Sequence, residues 1–276
     1  MAPMLAETII RPRKTFTLDI FRELWTYREL LFFFSWRDLK VRYKQTVIGI
    51  GWAIFQPFIT MVVFSLFFGK FAGIPSDNIP YPVFVYVGLL IWQFFSNALS
   101  ETSNSLISNQ SILTKVYFPR LILPLSAVIT RFVDFFCASL ILIGLMAYYQ
   151  FVPRLEGLFM LPLLLLLTFM ISAGGGLFLA AFNVKYRDVR YALPFFIQML
   201  LFVTPVIYPA SIAGKYSWLL ALNPMTGIIK AAHASLLGNA PINWMLLGLS
   251  GMSAFLFLII GFLYFKKTER YFADLI

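Results

Sequence analysis

The stretch RDLKVRYKQTVIGIGWAIFQPF, residues 37–58, places five charged residues in eight positions and none in the next fourteen. The charge-free run continues from Gln45 to Gly69, which is 25 residues. As a helix it is long enough to cross the ~30 Å hydrocarbon core of a bilayer, which takes about 20 residues. A helix on the surface of a soluble domain would carry polar residues on its wet face, and this run has too few. Arg37, Lys40, Arg42 and Lys44, gathered at one end, mark the cytoplasmic side of such a crossing. The run reads as a membrane span.

Five more runs follow along the chain. Asn78–Ser100 is uncharged for 23 residues, and Leu121–Gln150 is interrupted only by Arg131 and Asp134. Gly157–Val184 is uncharged for 28 residues. A fifth run covers 191–208 and ends in the proline-broken TPVIYP, and a sixth runs from Ile242 to Phe265. Within hydrocarbon the backbone must satisfy its own polar groups, so apolar runs of this length read as helices. The expected fold is an all-α integral membrane protein with six transmembrane helices. Residues 1–276 then form one transmembrane domain, preceded by a cytoplasmic or interfacial segment at 1–44. Residues 1–16 are polar and basic, without the apolar core of a cleavable signal, so none is expected.

Charge placement sets the expected sidedness. With six crossings, 17 of the 22 Lys and Arg residues fall on the side of both termini. Lys70, Arg154, Lys215 and Lys230 fall on the other, and Arg131 lies within a span. The excess of basic residues puts both termini in the cytoplasm. The stretch SWLLALNPMTGIIKAAHASLL, 217–237, holds Asn223-Pro224, Lys230 and His233. Were it a seventh crossing, Lys266, Lys267 and Arg270 would land outside. Residues 209–240 therefore read as an outer segment, with short helices dipping back toward the membrane.

Ahead of the first span, Ile20, Leu24, Tyr27, Leu31 and Phe34 recur at spacings of 4, 3, 4 and 3, a single helical stripe over residues 18–36. Arg22, Glu23, Thr26 and Glu29 lie largely off that stripe. Thr17 is placed to cap the helix and Asp19 to favour its first turn. An amphipathic helix of this kind lies in the headgroup region with Trp25 as an anchor, or packs on a partner protein. The two arrangements are compatible.

Composition narrows the chemistry. The chain is 60% hydrophobic and 12% charged, against about 25% charged in an ordinary globular domain. The net charge of +10 does not point to nucleic acid, because the basic residues cluster beside apolar runs. One cysteine, Cys137, and one histidine leave no disulfide framework and no His-paired metal site. Neither Gly69-Lys70 nor Gly214-Lys215 has the upstream Gly and following Ser or Thr of a phosphate-binding loop. No catalytic, cofactor or metal residues are expected. Arg131 and Asp134, three apart on the third run, are placed to pair on one helix face. The pair reads as self-neutralising or, alternatively, as a site for coupling ions. Trp52, Phe55, Phe58, Tyr81, Phe84, Tyr86, Trp92, Phe94 and Phe95 crowd the first two spans. They read either as lipid-facing bulk or as a pathway on which sugar rings stack.

Several stretches carry a resemblance: RDLKVRYKQTVIGIGWAIFQP, FFGKFAGIPSDNIPYPVFVYVGLLIWQFFSNAL, LTKVYFPRLILPL, FNVKYRDVRYALPFF, TPVIYP and LNPMTGIIKAAH. In order over about residues 32–265, they resemble the permease subunits of type-2 ABC exporters, in the branch exporting O-antigen, capsule and teichoic-acid polysaccharides. Lys230 and His233 depart from that family, which often has an acidic residue and Arg there. The resemblance implies a multi-pass protein of the bacterial cytoplasmic (inner) membrane, with six spans and cytoplasmic termini. Its implied partners are a second copy of itself, two copies of an ATP-binding subunit that holds ATP and Mg, membrane lipids, and a lipid-linked polysaccharide as substrate. No cofactor is implied in this chain. The resemblance gives the 104–118 loop, with Ile107, Ser108, Asn109, Leu113 and Lys115, and the 18–36 helix the role of receiving the ATPase. It also turns the first, second and fifth spans toward the dimer axis, which points to Tyr81, Phe84, Tyr86 and Tyr208 as pathway aromatics. Export of another amphiphile (a lipid or drug), and a membrane enzyme acting on lipid-linked sugars, are the alternatives.

Overall fold

The computed structural model describes residues 19–44, 46–77, 79–238 and 240–272, and these are helical with no strand among them. Thr17, Gln45 and Asn78, three of the expected element starts, lie outside the described residues. Five helices are long and apolar enough to cross a membrane: Gly51–Phe71, Tyr81–Ser108, Ile122–Tyr148, Leu155–Lys185 and Trp244–Tyr271. A shorter apolar helix, Val189–Val203, stands where the fifth run was read.

The amphipathic segment is longer than its stripe. Helix α1 covers Asp19–Thr26 and α2 covers Arg28–Lys44. The Tyr27 N–H donates to Glu23 O and the Leu31 N–H to Tyr27 O, so the join is nearly seamless. The helix therefore takes in RDLKVRYK, the basic flank of the first charge-free run. Leu24, Tyr27 and Leu31 pack with buried Phe34 against Leu106, Phe118, Ile122, Leu177 and Phe265. Those residues sit at the ends of several long helices, so the stripe covers one end of this chain's own bundle. The opposite face of α2, with Phe32, Phe33 and Trp36, stays exposed.

The first span begins later than its charge-free run. Residues 46–50 form a turn with Gly49 at φ 59°, and helix α3 starts at Gly51. It covers Gly51–Phe64 and continues as a π-helical turn to Phe71. Helix α4, Tyr81–Ser108, runs eight residues past the expected boundary. Its central part is the most deeply enclosed of the spans. Short α5, Gln110–Leu113, leads to α6, Ile122–Tyr148, and α7 covers Leu155–Lys185. Helix α4 packs against α6 and α7, and α7 in turn against α11, Trp244–Thr268. At the α7–α11 crossing the two backbones touch: a Cβ on Gly261 would overlap the Gly174 carbonyl. Only hydrogen fits there.

Helix α8, Val189–Val203, stops short of the expected residue 208. Pro205 removes a backbone donor and disfavours helical geometry at Thr204, which is extended at ψ 138°. The chain then folds back through α9, Ser217–Ala221, and α10, Pro224–Ala232, which continues as a π-helical turn to Leu237. The Asn223-Pro224 pair starts α10 in the expected way. The Asn223 side chain accepts from the Met225 N–H at 3.0 Å, and Pro224 takes the first helical position. This segment meets α4 well inside its first turns: a Cβ on Gly88 would lie 2.9 Å from Val206 O and 3.2 Å from His233 Nε2. Gly88 is seven residues along from Tyr81, or about 10 Å of helix rise. The 204–238 segment thus dips into the bundle, at the end opposite α2.

Candidate functional site

Three polar clusters stand at the two ends of α4. The first joins α2, α4 and α6. Because α2 stays helical to Lys44, it carries Arg42 and Tyr43 up to the bundle. Arg42 donates to Glu101 Oε1 and Oε2 at 2.6 and 2.7 Å, and to Asp134 Oδ2 at 2.8 Å. Arg131 donates to Asp134 Oδ2 at 2.7 Å and from Nε to Glu101 Oε2 at 2.8 Å. The Tyr43 hydroxyl donates to the other oxygen of Asp134. Burial of Tyr43, together with the Asp134 charge, pushes its pKa up to about 12, so it acts as a neutral donor. Burial opposes the Arg42 charge, but Glu101 and Asp134 outweigh it and raise its pKa.

The Arg131–Asp134 pairing is therefore present, but as half of a square. Two guanidiniums face two carboxylates, which balances charge and uses the forked geometry of arginine. Glu101 lies twenty residues from Tyr81, about 30 Å along α4, so the square sits near the α2 end of the helix. Beside it is a cavity of about 250 Å³, bordered by Trp52, Gln56, Gln93, Phe94 and Asn97.

The second cluster, beyond the square, brings together the two segments expected to receive a partner. Arg37 on α2 donates to Asn109 Oδ1 at 2.6 Å and pairs with Asp38 at 2.7 Å. Its guanidinium lies 4.7 Å from the Phe34 ring centroid, and Phe34 in turn packs on Phe118 at 5.5 Å. Ile107 is half-buried and Ser108 exposed, both in the last turn of α4. Asn109 ends that helix and donates from Nδ2 to Ser105 O. Leu113 packs into the α2-end core, while Lys115 is exposed. The surface here combines α2 with residues 107–117, where Val116 and Tyr117 also stand exposed.

The third cluster is at the opposite end. Tyr81 is half-buried and donates to Ile207 O at 2.7 Å. Tyr208 is half-buried and donates to Phe202 O and Val203 O. Tyr86 is fully buried, its hydroxyl donating to Ala138 O at 2.8 Å, and it offers no surface to a passing molecule. Phe84 is buried too, stacked on His233 at 4.2 Å between centroids, and borders a cavity. His233 Nε2 lies 3.1 Å from Phe84 O. That cavity, about 550 Å³, is also bordered by Asp77, Ser211, Ser217, Lys230 and Asn243. Among the described residues no group of His, Cys, Asp and Glu is placed to hold a metal.

A family model described as ABC-2 type transporter matches residues 29–237, which include the charged square, the 107–117 surface and most of the dipping segment. The chain belongs to that family. The O-antigen export system permease protein RfbA of Myxococcus xanthus is 35% identical over 222 residues, covering 79% of this chain and 84% of that protein. RfbA of Klebsiella pneumoniae is 27% identical over 249 residues, covering 90% and 95%. The polysialic acid transport protein KpsM of Escherichia coli is 21% identical over 243 residues, covering 85% and 91%. This ABC-2 permease is thus a multi-pass membrane protein of an ABC exporter. It is not itself an ATPase, and its sequence has no phosphate-binding loop.

Sequence reasoning missed Arg42, Tyr43 and Glu101 as partners of Arg131 and Asp134. One signal was available: Glu101 directly follows the charge-free run ending at Ser100, so an acidic residue stands at the edge of an apolar span. What it meets, 30 residues away on another helix, is a matter of tertiary packing.

Proposed function

We propose that this permease is the membrane half of an exporter that carries a lipid-linked polysaccharide out across the bacterial cytoplasmic membrane. It works as a homodimer with two copies of an ATP-binding subunit that hold ATP and Mg. The observation that carries this reading is the 35% identity to an O-antigen export permease over most of both chains.

Six crossings fit the proposal although α8 rises only about 22 Å. The end of α8 meets a segment that already dips about 10 Å below Tyr81, so helix and dip together cover the missing depth. On the charge split, the α2 end is cytoplasmic and the 204–243 segment faces outward. The ATPase then docks on α2 and residues 107–117. Helix α3 and its π-helical turn are mostly uncovered within one chain, with Trp52, Phe55, Phe58 and Phe67 exposed, and α8 likewise presents Phe195, Phe196 and Phe202. A second copy and lipid cover these faces. Tyr81 and Tyr208, which keep accessible surface at the outer end, are the pathway aromatics of this reading.

Deleting the gene tests the function. Surface polysaccharide should vanish and lipid-linked glycan should accumulate inside, with both reversed by the gene on a plasmid. Unchanged surface polysaccharide in the deletion strain overturns the proposal.

A further inference from the structure

The polar cavities at the two ends of the permease differ in how their cations are met. At the α2 end Arg42 and Arg131 are both answered by carboxylates, so that cavity offers no free positive charge. At the other end Lys230 is half-buried on α10 and borders the 550 Å³ cavity. Among the described residues it has no ion-pair or hydrogen-bond partner. Asp77 stands on the same wall. A charged side chain held within a membrane protein without a partner is costly to keep, and such residues mark sites of function.

The other lining groups point to a class of ligand. Ser211 and Ser217 bring hydroxyls. A cation beside hydroxyls suits a sugar that bears an acidic group: the ammonium meets the acid and the hydroxyls meet ring hydroxyls. A single ammonium on a flexible stem gives a weaker and less directional grip than an arginine fork. That is the right strength for a polymer that must move on.

We propose that this cavity is a subsite for sugar units carrying a carboxylate or phosphate, with Lys230 as the group that recognises the acid. The proposal rests on the reading of the chain as a polysaccharide permease. Phosphate also occurs on lipid headgroups, so the test separates the two sources.

The permease, with its ATP-binding subunit, is placed in phosphatidylcholine nanodiscs. Binding is measured for an octasaccharide of alternating glucuronate and N-acetylglucosamine, and for neutral maltooctaose. The acidic probe should bind roughly tenfold more tightly, with the advantage shrinking at high salt. Lys230→Gln should erase the preference and Lys230→Arg should keep it. Protection of the Lys230 amine from acylation, read by mass spectrometry, should appear with the acidic probe alone. A preference that survives Lys230→Gln, or no preference in the unmodified protein, overturns the inference. So does protection of the Lys230 amine in phosphatidylglycerol nanodiscs without any oligosaccharide, since the site would then hold a lipid headgroup. The deletion experiment above is independent: lost surface polysaccharide together with equal binding of both probes leaves the export reading standing and removes only the subsite.

Discussion

Removing Asp134 unbalances the charged square that ties α2 to α4 and α6. In Asp134→Ala, two guanidiniums share only Glu101, and the Tyr43 hydroxyl loses its acceptor. Breaking a fully buried pair costs about 3–5 kcal/mol by stranding the remaining charge. Here the side chains keep 15–31% of their exposure, so water recovers part of that cost. A loss of about 2–3 kcal/mol is expected after that discount. The double variant Arg131→Ala/Asp134→Ala restores neutrality and keeps the two-bond Arg42–Glu101 contact at 2.6 and 2.7 Å. It should be more stable than Asp134→Ala alone by roughly 1 kcal/mol or more. The assay is thermal unfolding of purified, detergent-solubilised permease, with the folded fraction followed by size-exclusion chromatography. A double variant less stable than the single refutes the charge-balance argument. Equal stability of the two, with export lost in both, would assign the pair to ion coupling instead.

Other outcomes follow from the same structure. Tyr86→Phe removes one buried hydrogen bond to Ala138 O and should cost about 1 kcal/mol of stability; export per folded molecule should stay unchanged, and a fall in export at full stability would put Tyr86 on the pathway after all. In a Cys137→Ser background, single cysteines at 72–77 should react with an impermeant thiol reagent on intact cells and those at 186–188 should not; labelling at 186–188 excludes six crossings. Glu at Ile107 or Leu113 should uncouple ATP hydrolysis from export while the permease still inserts, and normal export with normal ATPase co-purification would move the docking surface elsewhere.

The spans were legible because length and absence of charge suffice to define them. Gly157–Val184 became Leu155–Lys185, and Ile242–Phe265 became Trp244–Thr268. Their edges moved where backbone chemistry decides: Gly49 delays α3, and Pro205 ends α8. The facing of residues within a span was less legible. Helix α4 is apolar nearly all round, so no period distinguishes buried Tyr86 from half-buried Tyr81, and only packing against α6 decides. The i, i+3 spacing revealed Arg131 and Asp134, whereas Arg42 and Glu101 lie 59 positions apart and meet only through the fold. Lys230 was visible as a stray charge, but its place on a cavity wall came only with the fold.

The bare crossing at Gly174 and Gly261 bears on how such a machine moves. Where two backbones touch without intervening side chains, neither helix has rotamers with which to absorb sliding. Helices α7 and α11 must therefore travel as a single strut during a stroke of the exporter, with α4 locked alongside α7. The give has to come from α3 and α8, the two elements with the most exposed flanks and with a π-turn or a proline break at one end. A cross-link fixing α7 to α11 should thus leave the cycle running, and one fixing α3 to α8 should stop it.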